Sequence, residues 1–147
     1  MTVQYVISTG STALTAATAK TLVEVTTTAN VPCEWVAVDI TFDGVTATAV
    51  PVRVDFCTFA ATGTGTSYTP KKLGQAVGTA QSTSKINDTV EPTTPVILFS
   101  WLIPPTSGVM YQWPLGRELF QNVSTVQGIR LTAPAGVNAI VNLTIEE

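Results

Sequence analysis

The sequence contains no histidine. That absence removes Ser-His-Asp and Cys-His nucleophile systems, and with them the commonest zinc ligand sets. Two cysteines, Cys33 and Cys57, cannot complete a standard structural zinc site without it. Charge is also scarce. Asp, Glu, Lys and Arg make up 12% of the 147 residues, about half the share of an ordinary globular domain. The net charge is −3, and the seven basic residues are scattered, with Lys71-Lys72 the only adjacent pair. A nucleic-acid binder carries a basic stripe, so a nucleic-acid partner is not expected. The apolar runs stop well short of a membrane span, so neither is a membrane partner. The first residues, MTVQYVISTGSTALTAATAKT, lack the basic start and unbroken apolar core of a signal peptide; synthesis in the cytoplasm is expected. No phosphate-cradling glycine loop precedes a helix, because no helical periodicity is visible.

What is present is β-branched and alternating. Residues 35–59, WVAVDITFDGVTATAVPVRVDFCTF, organise the reading. Val36, Val38, Ile40 and Phe42 alternate with Ala37, Asp39, Thr41 and Asp43. Val50, Val52, Val54 and Phe56 alternate with Pro51, Arg53, Asp55 and Cys57. Period two on both sides of Asp43-Gly44, a strong turn signal, predicts two strands paired as a hairpin, each with one buried face. Further strands are expected at residues 3–8, 21–28, 119–124, 127–132 and 137–145. Residues 96–103, VILFSWLI, are apolar on both faces and predict a strand buried on both sides. Pro104-Pro105 and Thr106-Ser107-Gly108 then turn the chain, and VMYQW at 109–113 is expected to return as its partner. Residues 13–20 read as a loop or extended segment. Residues 60–84 are rich in Gly, Thr, Ser and Pro and read as one long loop, an arm reaching a neighbour or a mobile surface loop. Eight or nine strands at this spacing predict one all-β domain over residues 1–147, a two-sheet β-sandwich, with a jelly roll as one arrangement.

Chemistry is hard to place on this chain. Asp39 and Asp43 share a strand face but stand roughly 13 Å apart, beyond the reach of paired glycosidase carboxylates. Asp39 and Asp55 would face each other across the predicted hairpin, where Arg53 makes a structural ion pair the simpler reading. Asp43 and its neighbours lack the dense oxygen spacing of a calcium loop. No catalytic residue, cofactor or metal ligand is therefore assigned, and an enzyme is not expected. A bridge between Cys33 and Cys57 is compatible with their placement but not deducible from it; two small buried thiols are the simpler reading. The sequons at Asn87, Asn122 and Asn142 matter only on a glycosylating route. Tyr111 and Trp113, two apart, share a strand face; subunit contact, core packing and a sugar-stacking platform are all open to them. Tyr68, Lys71 and Lys72, in the long loop, complete the candidate partner-binding residues.

Several stretches taken together carry a resemblance: STALTAATAKTLVEV (11–25), FDGVTATAVPVRV (42–54), INDTVEP (86–92), PPTSGVMYQWPLGRE (104–118) and GIRLTAPAGVN (128–138). In this order the chain resembles small structural proteins encoded near the capsid genes of tailed bacteriophages and prophages. The resemblance implies a virion protein, a capsid decoration or cement protein whose partner is the major capsid protein. It rests on no catalytic motif. Low charge suits interface cores, which are depleted in charged residues. A homotrimer suits the local threefold positions of an icosahedral shell. The alternative is a carbohydrate- or receptor-binding sandwich on a head or tail fibre.

Overall fold

The computed structural model describes residues 3–43, 50–74 and 78–147. The chain is all-β, with no helix among the described residues. Thirteen strands are formed by these residues: β1 (Gln4–Ser8), β2 (Thr12–Leu14), β3 (Ala19–Thr26), β4 (Cys33–Asp43), β5 (Val52–Phe59), β6 (Thr64–Tyr68), β7 (Lys71–Lys72), β8 (Thr83–Val90), β9 (Val96–Ile103), β10 (Val109–Gln112), β11 (Leu119–Gln121), β12 (Val126–Thr132) and β13 (Val137–Glu146). One sheet runs β10-β4-β13-β1-β7, with β11 also on β4 and β2 also on β13. The other runs β6-β8-β3-β12-β5-β9. Every pairing is antiparallel, and the two sheets pack face to face as a β-sandwich.

The alternating residues fill the space between the sheets. Val38, Ile40, Val141, Leu143 and Ile145 come from one sheet, and Val23, Val25, Val54, Phe56 and Ile129 from the other, all essentially without exposure. Burying such a side chain is worth about 1.5–3 kcal/mol, which is why the inward face of each strand is so uniform. One phase shift departs from the simple pattern. Ile145 pairs with Trp35 and Thr144 with Ala37, so Val36 is an extra residue in β4. This bulge lets Trp35 enter the core while Val36 is buried too.

The predicted hairpin of 35–59 is not formed. β4 and β5 lie in different sheets, β4 beside β13 and β5 between β12 and β9. Alternation identifies a buried face but not a strand's neighbour. Both strands bury that face against one core, from opposite sides. The Asp43-Gly44 turn falls at the edge of residues 44–49, outside the described residues. Likewise β9 and β10 are not hairpin partners. Residues 104–108 carry the chain from one sheet to the other, so β9 pairs with β5 and β10 with β4.

That corner depends on Gly108. Its φ is +65°, and a Cβ built there would lie 2.5 Å from the carbonyl oxygen of Ile40. The amides of Ser107 and Gly108 both donate to the Pro104 carbonyl, at 3.2 Å each. Gly108→Ala meets strained backbone and a blocked position together. It is expected to lower stability by about 1–2 kcal/mol in chemical denaturation, against little change for an alanine at Gly136, where a Cβ would meet only the Leu14 carbonyl oxygen at 3.8 Å.

The long loop expected at 60–84 is also corrected. Thr64, Thr66 and Tyr68 alternate with Gly65 and Ser67 to form β6, at one edge of its sheet. Lys71 and Lys72 form β7 on β1, at the edge of the other sheet, and Thr83 opens β8. Residues 79–82 are tied down, the amides of Gln81 and Ser82 donating to the Glu147 carboxylate at 2.8 Å each. The described residues of this segment are thus built into the sandwich rather than extended as an arm; residues 75–77 lie outside them. Glycine, serine and the lack of an apolar face lowered the strand signal, although an edge strand tolerates all three. β2 and β8 were hidden for the same reason, by polar residues.

Candidate interaction surface

The residues that stand out chemically lie on the two long edges of the sandwich. On one edge β9 closes one sheet, and β10 with β11 closes the other. β9 was expected to be buried on both faces. Instead it is an edge strand, with only Phe99, Trp101 and Ile103 turned toward the core. Val96 is 57% exposed, Leu102 68% and Met110 83%. Leu115, in the turn after β10, is bare at 94%. No charged residue occurs anywhere in residues 92–116.

Between β9 and β10 lies a groove of about 700 Å³, lined by Phe99, Trp101, Leu102, Val109, Tyr111 and Trp113 among others. The rings form a continuous series. Phe56, in the core, stacks on Phe99 at 4.5 Å and meets Trp101 edge-on at 4.7 Å. Trp101 meets Tyr111 at 5.3 Å, and Tyr111 meets Trp113 at 5.3 Å and 87°. Tyr111 and Trp113 do share a face, as their spacing predicts. Trp101, expected in the core, is half-buried and floors the groove. Near-perpendicular rings offer no flat platform. The one aliphatic hydroxyl at the groove, that of Ser100, donates to Asp55 at 2.5 Å.

Tyr68, Lys71 and Lys72 stand on the opposite edge, where Thr69-Pro70 joins β6 to β7. Lys71 is exposed. Lys72 folds back, its Nζ within 3.0 Å of where a Cβ on Gly78 would stand. Tyr68 is half-buried against the core, and its carbonyl accepts the Ser84 hydroxyl at 2.7 Å. The five candidate residues therefore divide into two groups on opposite edges and do not form one site.

The acidic residues resolve into structural roles. Asp39 and Asp55 belong to different sheets and do not face each other. Asp39 accepts from Asn142 at 3.3 Å. Asp55 is 2% exposed and held by Arg53 at 2.8 Å and Arg130 at 3.3 Å, with Ser100 as a third donor. Burial alone would raise its pKa, but the hydrogen bonds from Ser100, Arg53 and Arg130 outweigh that and hold it below the usual carboxylate value. The expected ion pair is present. Cys33 and Cys57 are free, buried thiols in different sheets. Burial pushes both upward in pKa, with Glu147 and Glu34 adding to the effect on Cys33.

One cluster was not anticipated. Glu24, on β3, and Asp88, on β8, are 1% and 3% exposed. Glu24 accepts the Gly63 amide at 2.8 Å, while its second oxygen and both Asp88 oxygens have no donor. A Cβ on Gly63 or Gly65 would fall on the Asp88 carboxylate, so these glycines make its space. Nearby Glu91 accepts the amide and hydroxyl of Thr21. Among the described residues no three acidic or cysteine side chains are arranged to hold a metal ion. A glutamate inside the β-branched run TLVEVTTT was the one sequence signal of this pair. The signal for the bare edge was the charge-free run itself.

The chain matches no protein-family model, no curated protein and no solved structure.

Proposed function

We propose that the chain is a decoration protein of a tailed-bacteriophage or prophage capsid. It binds the outer surface of the major-capsid-protein shell, as a homotrimer, and stabilises the shell across capsomer junctions. Its place is the virion surface. The observation that carries this reading is the bare apolar edge of β9 and β10 on a rigid sandwich. Such an edge is a template for pairing unless another chain covers it, and neither strand carries a lysine or proline within it, Pro95, Pro104, Pro105 and Pro114 lying only beyond the strand ends. The resemblance of residues 11–25, 42–54, 86–92, 104–118 and 128–138 supports the same reading. Icosahedral symmetry multiplies modest contacts, so each needs little energy of its own.

On this reading the edge carrying Tyr68 and Lys71 faces the shell. The test is co-sedimentation with empty shells assembled from the major capsid protein of the same genome. The wild type should sediment with the shells and raise their disruption temperature. Lys71→Glu, at an exposed position, should weaken binding by about tenfold, the equivalent of about 1.4 kcal/mol, without altering the melting of the free protein. Wild-type protein that stays in the supernatant and leaves the shells unprotected would overturn the proposal. A second reading, a carbohydrate-binding module, would seat its ligand in the groove beside Trp101, Tyr111 and Trp113. Binding of soluble glycans quenched by Trp113→Ala, with no affinity for shells, would establish that reading instead.

A further inference from the structure

We infer that the bare edge is a seam between copies of this chain, in which β9 of one copy pairs antiparallel with β10 of the next and the seams close into a threefold ring. This deepens the proposed function and rests on it for its use on a shell, but its test needs no shell.

Four observations carry it. The first is area. The apolar side chains of this edge leave on the order of 800 Å² bare, divided between the two seams each copy makes, so each seam covers roughly 800 Å² counting both partners, a small interface that ring closure reinforces. The second is charge. The molecule carries −3 overall, yet residues 92–116 carry none, so copies meet here without opposing like charges. The third is the backbone. Among the described residues β9 pairs only with β5, and β10 only with β4, so within them each presents one unused row of amides and carbonyls. Trp101 beside Tyr111 places β9 and β10 side by side across the edge, and the corner at 104–108 makes them run in opposite directions. Rotation about an axis parallel to both strands then brings β9 antiparallel to the neighbour's β10. Lengths agree as well. β9 has eight residues, and β10 with β11 lines β4 from Cys33 to Ile40.

The fourth is closure. Pairing β9 with a second β9 would leave Met110 and Leu115 bare, whereas pairing it with β10 covers both edges. Sheets lie roughly 10 Å apart and paired strands about 4.8 Å, so three copies give a ring roughly 45 Å in perimeter. That is about the girth of an eight-stranded barrel, whose interior side chains just fill. Trp101, Tyr111 and Trp113 from each copy would fill it here. Leu102 and Met110 point outward from their sheets and would meet across each seam.

Light scattering coupled to size-exclusion chromatography tests the seam. The wild type should run at three times the chain mass. Leu102→Lys and Met110→Lys, both at exposed positions, should each give monomers that melt like a folded protein. An equimolar mixture of the two variants retains one intact seam, β9 of the Met110→Lys copy with β10 of the Leu102→Lys copy, and should give a species of twice the chain mass. A monomeric wild type overturns the inference. So does a Met110→Lys variant that assembles as the wild type does, because that outcome assigns the contact to β9 alone. A trimer dispersed by both variants but indifferent to shells would keep the seam and discard the capsid reading.

Discussion

Asp88→Asn should stabilise the folded chain by about 3 kcal/mol at pH 8, and the gain should shrink to nothing near pH 4. The Asp88 carboxyl is 3% exposed, between β3 and β8. Its pKa is pushed up to about 7, first by burial, then by the negative charge of Glu24 and a hydrogen bond to it, then by Glu91. Lys85 opposes the rise, but its ammonium is engaged by the Gly63 carbonyl at 2.7 Å and Thr62 at 3.1 Å. The folded pKa lies above the ordinary 3.8, so the fold favours the protonated form. The stability this group contributes is complete below about pH 4, is lost as pH rises toward 7, and stays lost above it. Asparagine is neutral throughout and keeps the shape that Gly63 and Gly65 accommodate. Its amide also offers Glu24 a donor, which an ionised Asp88 cannot. Urea unfolding of both proteins from pH 4 to pH 8 measures the difference. A gain independent of pH would show that the buried charge of Asp88 is not its source.

The sequence was most legible where one physical rule acts alone. Period two in β4 and β13 correctly identified the side chains that leave water, because apolar burial depends only on which face points inward. In β5 it found Val52, Val54 and Phe56 but missed that Asp55 and Cys57, on the opposite face, are buried too, while Val50 before the strand is exposed. It could not identify neighbours. The faces of β4 and β5 are buried equally well by pairing in one sheet or by facing each other across two, and the eight residues between them are long enough to cross. VILFSWLI shows a second limit. Hydrophobicity reports that a strand avoids water, not which chain shelters it, so an edge strand with bare Leu102 read like a central one. Short edge strands such as β6 and β7 gave almost no signal, since their few ladder bonds need no apolar face. Tyr111 and Trp113 were found by spacing, but their separation from Tyr68 and Lys71 followed from topology alone.

Gln121→Leu should cost about 2–4 kcal/mol and lower the melting temperature by on the order of 10 °C. Gln121 looks unremarkable in sequence, yet it is fully buried and joins the two sheets. Its Oε1 accepts the Trp35 indole N–H at 3.0 Å, from β4. Its Nε2 donates to the carbonyl of Val25, on β3 in the other sheet, at 2.9 Å, and to that of Thr125 at 3.1 Å. Leucine matches the volume approximately and removes all three bonds, leaving the indole N–H without its partner in the core. The same end of the sandwich is tied by Thr27, whose hydroxyl donates to the Asn122 carbonyl at 2.6 Å and accepts the Thr125 amide at 3.0 Å. That second tie keeps the loop between β11 and β12 in place, so the loss should come from the unsatisfied groups rather than from local unfolding. Gln121→Glu separates the two effects. A neutral carboxyl accepts from Trp35 and donates to one carbonyl, so that variant should approach wild-type stability in acid and fall furthest above neutral pH. If Gln121→Leu melts within a degree or so of the wild type, the buried bridge is not holding the sheets together and apolar packing around Trp35 suffices.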